Sequence, residues 1–209
     1  MVDDSPQTHW DGVYARRDAR EVSWFEPAPE TSLALIRQAV VARDAAIVDV
    51  GGGATGLAAA LLDDGYSDLT VVDISDIALR AAKAAVGVQA ERLRWVGADV
   101  RSCDFGRRYD LWHDRAVFHF MVSSADRDAY LDTLRRTLAP GGHAIFATFG
   151  PAGPTRCSGL PTCRYDTLEL TRVLRTDFHQ VASCLHEHTT PSGEHQQFLY
   201  LLARRTPRP

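Results

Sequence analysis

Apolar positions recur along this chain at two spacings, and the two spacings alternate. Residues 29–42 carry Leu33, Ile36 and Val40 three to four apart, the stripe of a helix with one buried face. Residues 45–50 form an apolar run ending in Gly51-Gly52-Gly53, which predicts a buried strand followed by a tight turn. A helix is expected over 55–64, closed by Gly65, because glycine tolerates the left-handed backbone that ends helices. Residues 69–73 read as the second strand, after which Ser75 can cap a helix that Gly87 ends. Further strands are expected at 93–96 and 109–113.

In the second half Ser123 and Asp126 have the spacing of a capping box. They open a helix whose core stripe is Tyr130, Leu131, Leu134 and Leu138. Pro140-Gly141-Gly142 stops that helix and turns the chain into a strand at 143–149. Residues 150–165, rich in Gly and Pro, read as a long loop, and Asp166 with Glu169 opens another helix. Two extended runs, 178–186 and 196–203, joined by a turn-rich stretch, predict an antiparallel hairpin at the end of the chain. Strands alternating with helices argue for an α/β fold, a mostly parallel sheet with helices on both faces. No repeat or linker divides residues 1–209, so one domain is expected.

Composition narrows the function classes. With 45% hydrophobic and 24% charged residues over 209 positions, wholesale disorder is excluded. A net charge of −4 gives no general attraction to phosphates, so no nucleic-acid partner is expected. The opening MVDDSPQTHW lacks the basic start and apolar stretch of a secretion signal, and no run approaches the ~18 apolar residues of a membrane span. Cys103, Cys157, Cys163 and Cys184 form no CxxC pair, which makes a reduced cytoplasmic setting the expectation. His186, His188 and His195 lack a supporting acid cluster, and no metal site is expected from them.

The chemistry is concentrated after the strands. Asp49-Val-Gly51-Gly-Gly53-Ala-Thr-Gly56 contains G-x-G-x-x-G between a strand and a helix, where glycines let the backbone approach a ligand and the helix start offers free N–H groups. Asp49 stands where dinucleotide-binding loops usually carry an apolar residue, and a carboxylate there can hold an amino-acid ammonium. Asp73 ends the second strand, suited to accept both hydroxyls of a ribose. Asp99 follows the third, suited to accept from an adenine amino group.

The ordered series VDVGGGATGL, VVDIS, VGADV, YDLWHD and LAPGGH resembles the motifs of class I methyltransferases that depend on S-adenosylmethionine. The resemblance spans residues 47–143 and implies a Rossmann-like, seven-stranded sheet with an antiparallel C-terminal hairpin. It implies that Gly51, Gly53 and Gly56 with Asp49 hold the methionine portion, Asp73 the ribose, and Asp99 with Val100 the adenine, with Ile74 as a further cofactor contact. The segments HWDGVYARRD and SWFEPAPETSL are similar, more narrowly, to the small lysine methyltransferases of elongation factor 1A and citrate synthase. That likeness implies a lid over residues 1–28, with Trp10 and Tyr14 closing over the cofactor and Trp24-Phe25 as a second flap.

At the acceptor end, HDRAVFHFM leaves the fourth strand. Asp114, Arg115 and Phe118 match an Asp-Lys pair and a phenylalanine of the lysine enzymes, but His119 stands where those enzymes carry Asp. A histidine suits proton removal from a neutral nucleophile, so His119 and Asp114 are the candidate bases. The loop 150–165, with Cys157 and Arg164, is expected to join Trp24 and Arg115 around a small-molecule acceptor, a protein lysine being the alternative. Two other readings stay open: an NAD(P)-dependent oxidoreductase sharing the glycine loop, and an S-adenosylmethionine-binding protein without turnover.

Overall fold

The computed structural model describes residues 5–207 except 19, 27, 41, 175 and 176. Residues 1–4, 19 and 27 of the expected lid, and Val41 of the first expected helix, therefore lie outside the described residues. Two helices, α1 (Pro6–Arg16) and α2 (Glu30–Ala39), precede the sheet. Then come β1 (Ala46–Val50), α3 (Leu57–Asp63), β2 (Asp68–Asp73), α4 (Asp76–Val86), β3 (Arg94–Gly97) and β4 (Tyr109–Arg115). The second half holds α5 (Ser124–Thr137), β5 (Leu138–Phe149), β6 (Arg156–Cys157), β7 (Leu160–Pro161), α6 (Thr167–Leu174), β8 (Phe178–Thr189) and β9 (His195–Arg205).

Seven strands form one sheet in the order β3-β2-β1-β4-β5-β9-β8. The first five pair in parallel; β9 runs antiparallel to both β5 and β8, as the terminal hairpin predicted. The strand order reverses between β1 and β4, opening a crevice at the carboxyl edge where α/β sheets bind ligands.

Strand alternation builds two cores. Ile47, Leu111, Ile145 and Tyr200 point to the face packed by Leu33 and Ile36 of α2 and Leu57 and Leu61 of α3. Their neighbours Val48, Trp112, Phe146 and Leu201 point to the face packed by Tyr130 and Leu134 of α5 and Leu170 of α6. The capping signals act as read: Ser75 Oγ accepts from the Ala78 N–H, and Asp166 and Glu169 accept reciprocally from each other's N–H at 2.9 and 2.7 Å. Gly65 closes α3 with φ +90°, a conformation that side chains with a Cβ resist.

Several boundaries differ from expectation: α2 ends at Ala39 rather than 42, and β8 runs on to Thr189 rather than 186. β5 begins at Leu138 rather than after the Gly pair, because Leu138 already pairs with Tyr109 across an irregular register. The loop 150–165 is not plain loop: β6 and β7 make a two-stranded ribbon, turned by Ser158 and Gly159 at φ 48° and 82°. The loop is stitched to the sheet edge by Gly150 N–H to Gln197 O, Cys163 N–H to His119 O and Tyr165 N–H to Phe149 O. Among the described residues no helix is long and apolar enough to cross a membrane.

Candidate active site

The carboxyl ends of β1, β2 and β4, with the residues just past β3, border one cavity of about 200 Å³. Asp73, Ile74, Asp99, Val100 and Arg101 stand at one end; Arg115, Ala116, Val117, Phe120 and Met121 stand at the other. Trp10, Tyr14, Trp24, Cys157 and Leu160 border it from outside the sheet.

Asp73 ends β2 and is 7% exposed. Its Oδ1 accepts from the Ser75 N–H (2.8 Å) and its Oδ2 from the Gly53 N–H (3.1 Å), and the Ile74 N–H also acts on this carboxyl. Burial pushes its pKa up to about 6, despite the lowering effect of those N–H groups. Asp99 is held differently. Burial raises it, but hydrogen bonds from the Arg101 side chain and N–H more than offset this, and its carboxyl stays below the ordinary range. Arg101 grips Asp99 with Nε and Nη2 and reaches Asp126 with Nη1, tying the residues just past β3 to the first turn of α5.

The glycine turn works by close approach. Gly51, at φ +70°, donates to Val72 O at 2.7 Å, and a Cβ there would stand 2.2 Å from a Val117 methyl. A Cβ on Gly53 would meet Ala78 at 2.6 Å and Asp73 at 2.7 Å. Asp49 lies beneath this turn rather than on the cavity wall. Its Oδ1 pairs with His113 Nδ1 at 2.7 Å, and His113 Nε2 reaches Ser32 Oγ at 2.9 Å. Asp49 Oδ2 is buried without a hydrogen-bond partner and lies against Gly52, where a Cβ would stand 2.3 Å from it. Gly53 and Gly56 likewise shape the turn without bordering the cavity.

Helix α1 is held over the opening by its own polar side chains. Asp11 Oδ1 accepts from Ser75 Oγ (2.6 Å) and the Ile77 N–H (3.3 Å), fastening α1 to the start of α4. This brings Trp10 and Tyr14 onto the cavity, where Trp10 meets Trp24 edge to face at 5.8 Å and Phe120 at 5.1 Å. Tyr14 meets Trp24 at 6.0 Å, also edge to face.

Arg115 anchors the segment that carries Trp24. Its Nε donates to the Tyr200 hydroxyl at 3.0 Å and its Nη1 to Trp24 O at 2.6 Å. Its Nη2 forms an ion pair with Glu26 at 2.8 Å, without hydrogen-bond alignment, and the guanidinium lies over the Phe198 ring. His188 Nε2 adds a second fastening at Ser23 O, 2.7 Å away. Trp24 and Arg115 thus border the cavity as expected, but Arg115 faces a carboxylate of its own chain.

Three expected acceptor-side residues stand elsewhere. Asp114 is fully buried on the opposite face of β4, where Oδ1 accepts from the Val117 and Phe118 N–H groups and Oδ2 from the Tyr130 hydroxyl. Burial pushes its pKa up to about 6. His119 is also fully buried, stacked on Phe149 at 4.3 Å, with Nδ1 accepting from the Phe149 N–H and Nε2 unpartnered. Burial, then the nearby Arg115, holds it down to about 3, so it is a neutral ring packed behind the cavity. Arg164 is exposed and turned back to Pro151 O at 3.1 Å. Cys157 does border the cavity, its thiol 4.0 Å from Ser23 Oγ and pushed up in pKa by burial.

Phe120, Arg101, Met121 and Leu160 were not singled out from sequence. Ala116 explains the first. At φ +70° it breaks the strand's alternation, so Phe120, not His119, faces the cavity. The neighbouring His-Phe-Met run carries no local signal for that choice. Among the described residues no group of three or more His, Cys, Asp or Glu side chains is arranged to hold a metal.

Comparison with known proteins agrees with this geometry. Residues 47–142 match a family model described as a methyltransferase domain. The 1,6-didemethyltoxoflavin N1-methyltransferase of Burkholderia thailandensis, solved with its substrate and S-adenosylhomocysteine, is 25% identical with a TM-score of 0.69 over 95% of this chain and 84% of that one. A structure from work on conversion of a disulfide into a thioacetal during echinomycin biosynthesis shares the fold at 19% identity, with a TM-score of 0.76 over 97% and 92% of the two chains. The N-methyltransferase NodS of Bradyrhizobium japonicum, bound to S-adenosylhomocysteine, shares it at 18% identity, with a TM-score of 0.67 over 93% and 97%. No curated protein matches the chain in sequence. The fold is that of the class I methyltransferases, seven strands with the last pair antiparallel. With the matched domain it makes this chain an enzyme, a methyltransferase dependent on S-adenosylmethionine.

Proposed function

We propose that this enzyme methylates a small molecule enclosed between the sheet edge, an N-terminal lid over residues 1–28 and the loop 150–165. The observation that carries the reading is the roofed cavity, with carboxylates at its β2–β3 end and aromatic rings at its β4 end. In this assignment Asp73, at the cavity wall and held by backbone N–H groups, takes the ribose hydroxyls. Asp99 and Val100 take the adenine, with Ile74 alongside. Gly51, Gly53 and Gly56 let the backbone close on the methionine portion, and the orphan Asp49 Oδ2 is the acceptor for its ammonium, directly or through water. When bound, S-adenosylmethionine supplies a methyl group on a positively charged sulfur.

The chain's own contribution is binding, alignment and exclusion of water. With His119 and Asp114 off the cavity wall, positioning rather than general base catalysis carries the acceleration. Similar N-methyltransferases act on, or are solved with, a small molecule, which supports the same class of acceptor here. The narrower likeness to lysine methyltransferases points instead to a protein side chain. The fastening of α1 and of Ser23–Glu26 speaks against it, since a folded protein would have to displace both. The test is to incubate the enzyme and methyl-labelled S-adenosylmethionine with a cell extract split into small-molecule and protein fractions. Label is expected in the small-molecule fraction; label confined to lysine in one protein band would overturn this reading.

A further inference from the structure

The wall at the β4 end of the cavity is chemically one-sided. Trp10, Tyr14, Trp24 and Phe120 border it with their rings near right angles in three of the contacts, at interplanar angles of 83°, 87° and 75°. Rings meeting edge to face form the corners of a box, and aromatic faces carry negative potential. Ala116, Val117, Met121, Leu160 and the protonated Cys157 thiol also line this end, and none of them supplies charge. Arg115 is the cation at this end, but Glu26 lies 2.8 Å from its Nη2, and its Nε and Nη1 donate to the Tyr200 hydroxyl and Trp24 O. Arg101, at the far end, is taken up by Asp99 and Asp126. Among the described residues lining the β4 end, none is an acid or a histidine.

Resting on the methyltransferase reading above, we propose that the acceptor atom is an uncharged nitrogen in a flat, apolar molecule, and that the aromatic box holds the cation it becomes. The nitrogen lone pair forms the new N–C bond as the C–S bond breaks, its electron pair staying on sulfur. The positive charge therefore passes from sulfur to nitrogen inside one box of π-faces, and any N–H proton leaves to solvent afterwards. A thiolate or carboxylate acceptor would instead place an anion among these aromatic rings, with Arg115 already paired with Glu26 and the cofactor's own sulfonium left to offset it. Attraction of a cation to several desolvated rings is strong enough to decide between these classes.

The experiment separates this inference from the reading beneath it. The full chain is first titrated with S-adenosylhomocysteine by calorimetry; absence of binding would remove the methyltransferase reading itself. The complex is then titrated with N-methylpyridinium, toluene and benzoate, three flat probes of similar size that differ in charge, following tryptophan fluorescence. N-methylpyridinium is expected to bind at least about fivefold tighter than either of the others, a difference within the range of one cation–π contact. Trp24→Leu and, separately, Phe120→Leu should each narrow that preference while S-adenosylhomocysteine still binds. Benzoate or toluene binding as tightly as N-methylpyridinium to the wild-type complex would overturn the proposal.

Discussion

Two buried aspartates, one at the end of β2 and one near the end of β4, show how the same residue in nearly the same setting takes opposite work. Asp73 and Asp114 are both pushed up to about 6, chiefly by burial, and both accept from two backbone N–H groups. What separates them is register. Asp114 lies beside Val50, inside the sheet, and its second oxygen turns to Tyr130 on α5. Asp73 extends one position past Val72, the partner of the last residue of β1, and so reaches the crevice. Burial and a raised pKa alone do not separate the two; passing the last paired residue of β1 is what brings Asp73 to the cavity.

Substitution at Asp114 probes the structural half of the comparison and carries the largest effect. Asp114→Ala leaves the Tyr130 hydroxyl and two N–H groups buried without an acceptor, which costs roughly 3 kcal/mol or more. The denaturant midpoint should fall accordingly, while the protein that remains folded binds S-adenosylhomocysteine within about threefold of wild type. A larger loss of affinity at unchanged stability would put Asp114 in the site after all. At the other aspartate the pattern should invert. Asp73→Ala removes acceptors worth ~1.5–3 kcal/mol to the ribose hydroxyls, so calorimetry should read a ten- to hundredfold weaker cofactor.

The pKa of Asp73 sharpens this further. Hydroxyls donate to the ionised carboxylate, and the free protein takes up a proton near pH 6. Cofactor affinity is therefore expected to be level above about pH 7 and to fall by up to about tenfold per pH unit below 6. Asp73→Asn should abolish that slope. The smallest effect is expected at His119. A ring held neutral down to about pH 3 and packed on Phe149 cannot titrate in the working range. His119→Phe should keep turnover within roughly threefold, and at saturating S-adenosylmethionine the wild-type rate should show no inflection near ~6.5, the ordinary histidine value. An inflection there that the variant loses would return His119 to the chemistry.

The cofactor half was legible in the sequence because its signals are local. The glycine turn follows directly on its strand, and Asp73 and Asp99 each stand at or just past the end of theirs, so each signal is complete within a few residues, and both acids border the cavity. The acceptor half was not, because its facing is decided by single backbone departures and by distant partners. Ala116 at φ +70° exchanges Phe120 for His119 at the cavity. Arg115 was legible as a candidate, but its pairing with Glu26, 89 positions earlier, has no trace in local pattern. Arg164 is turned outward by a carbonyl at Pro151, and the β6–β7 ribbon is too short for periodicity to register.

The claim on which the rest depends is that the crevice beyond β1, β2 and β3 is a site for S-adenosylmethionine. Isothermal calorimetry of the full chain against S-adenosylmethionine, S-adenosylhomocysteine and NADH tests it directly. The account predicts one molecule of either adenosyl compound bound per chain, and no measurable binding of NADH. Tight NADH binding with no heat from either adenosyl compound would contradict it.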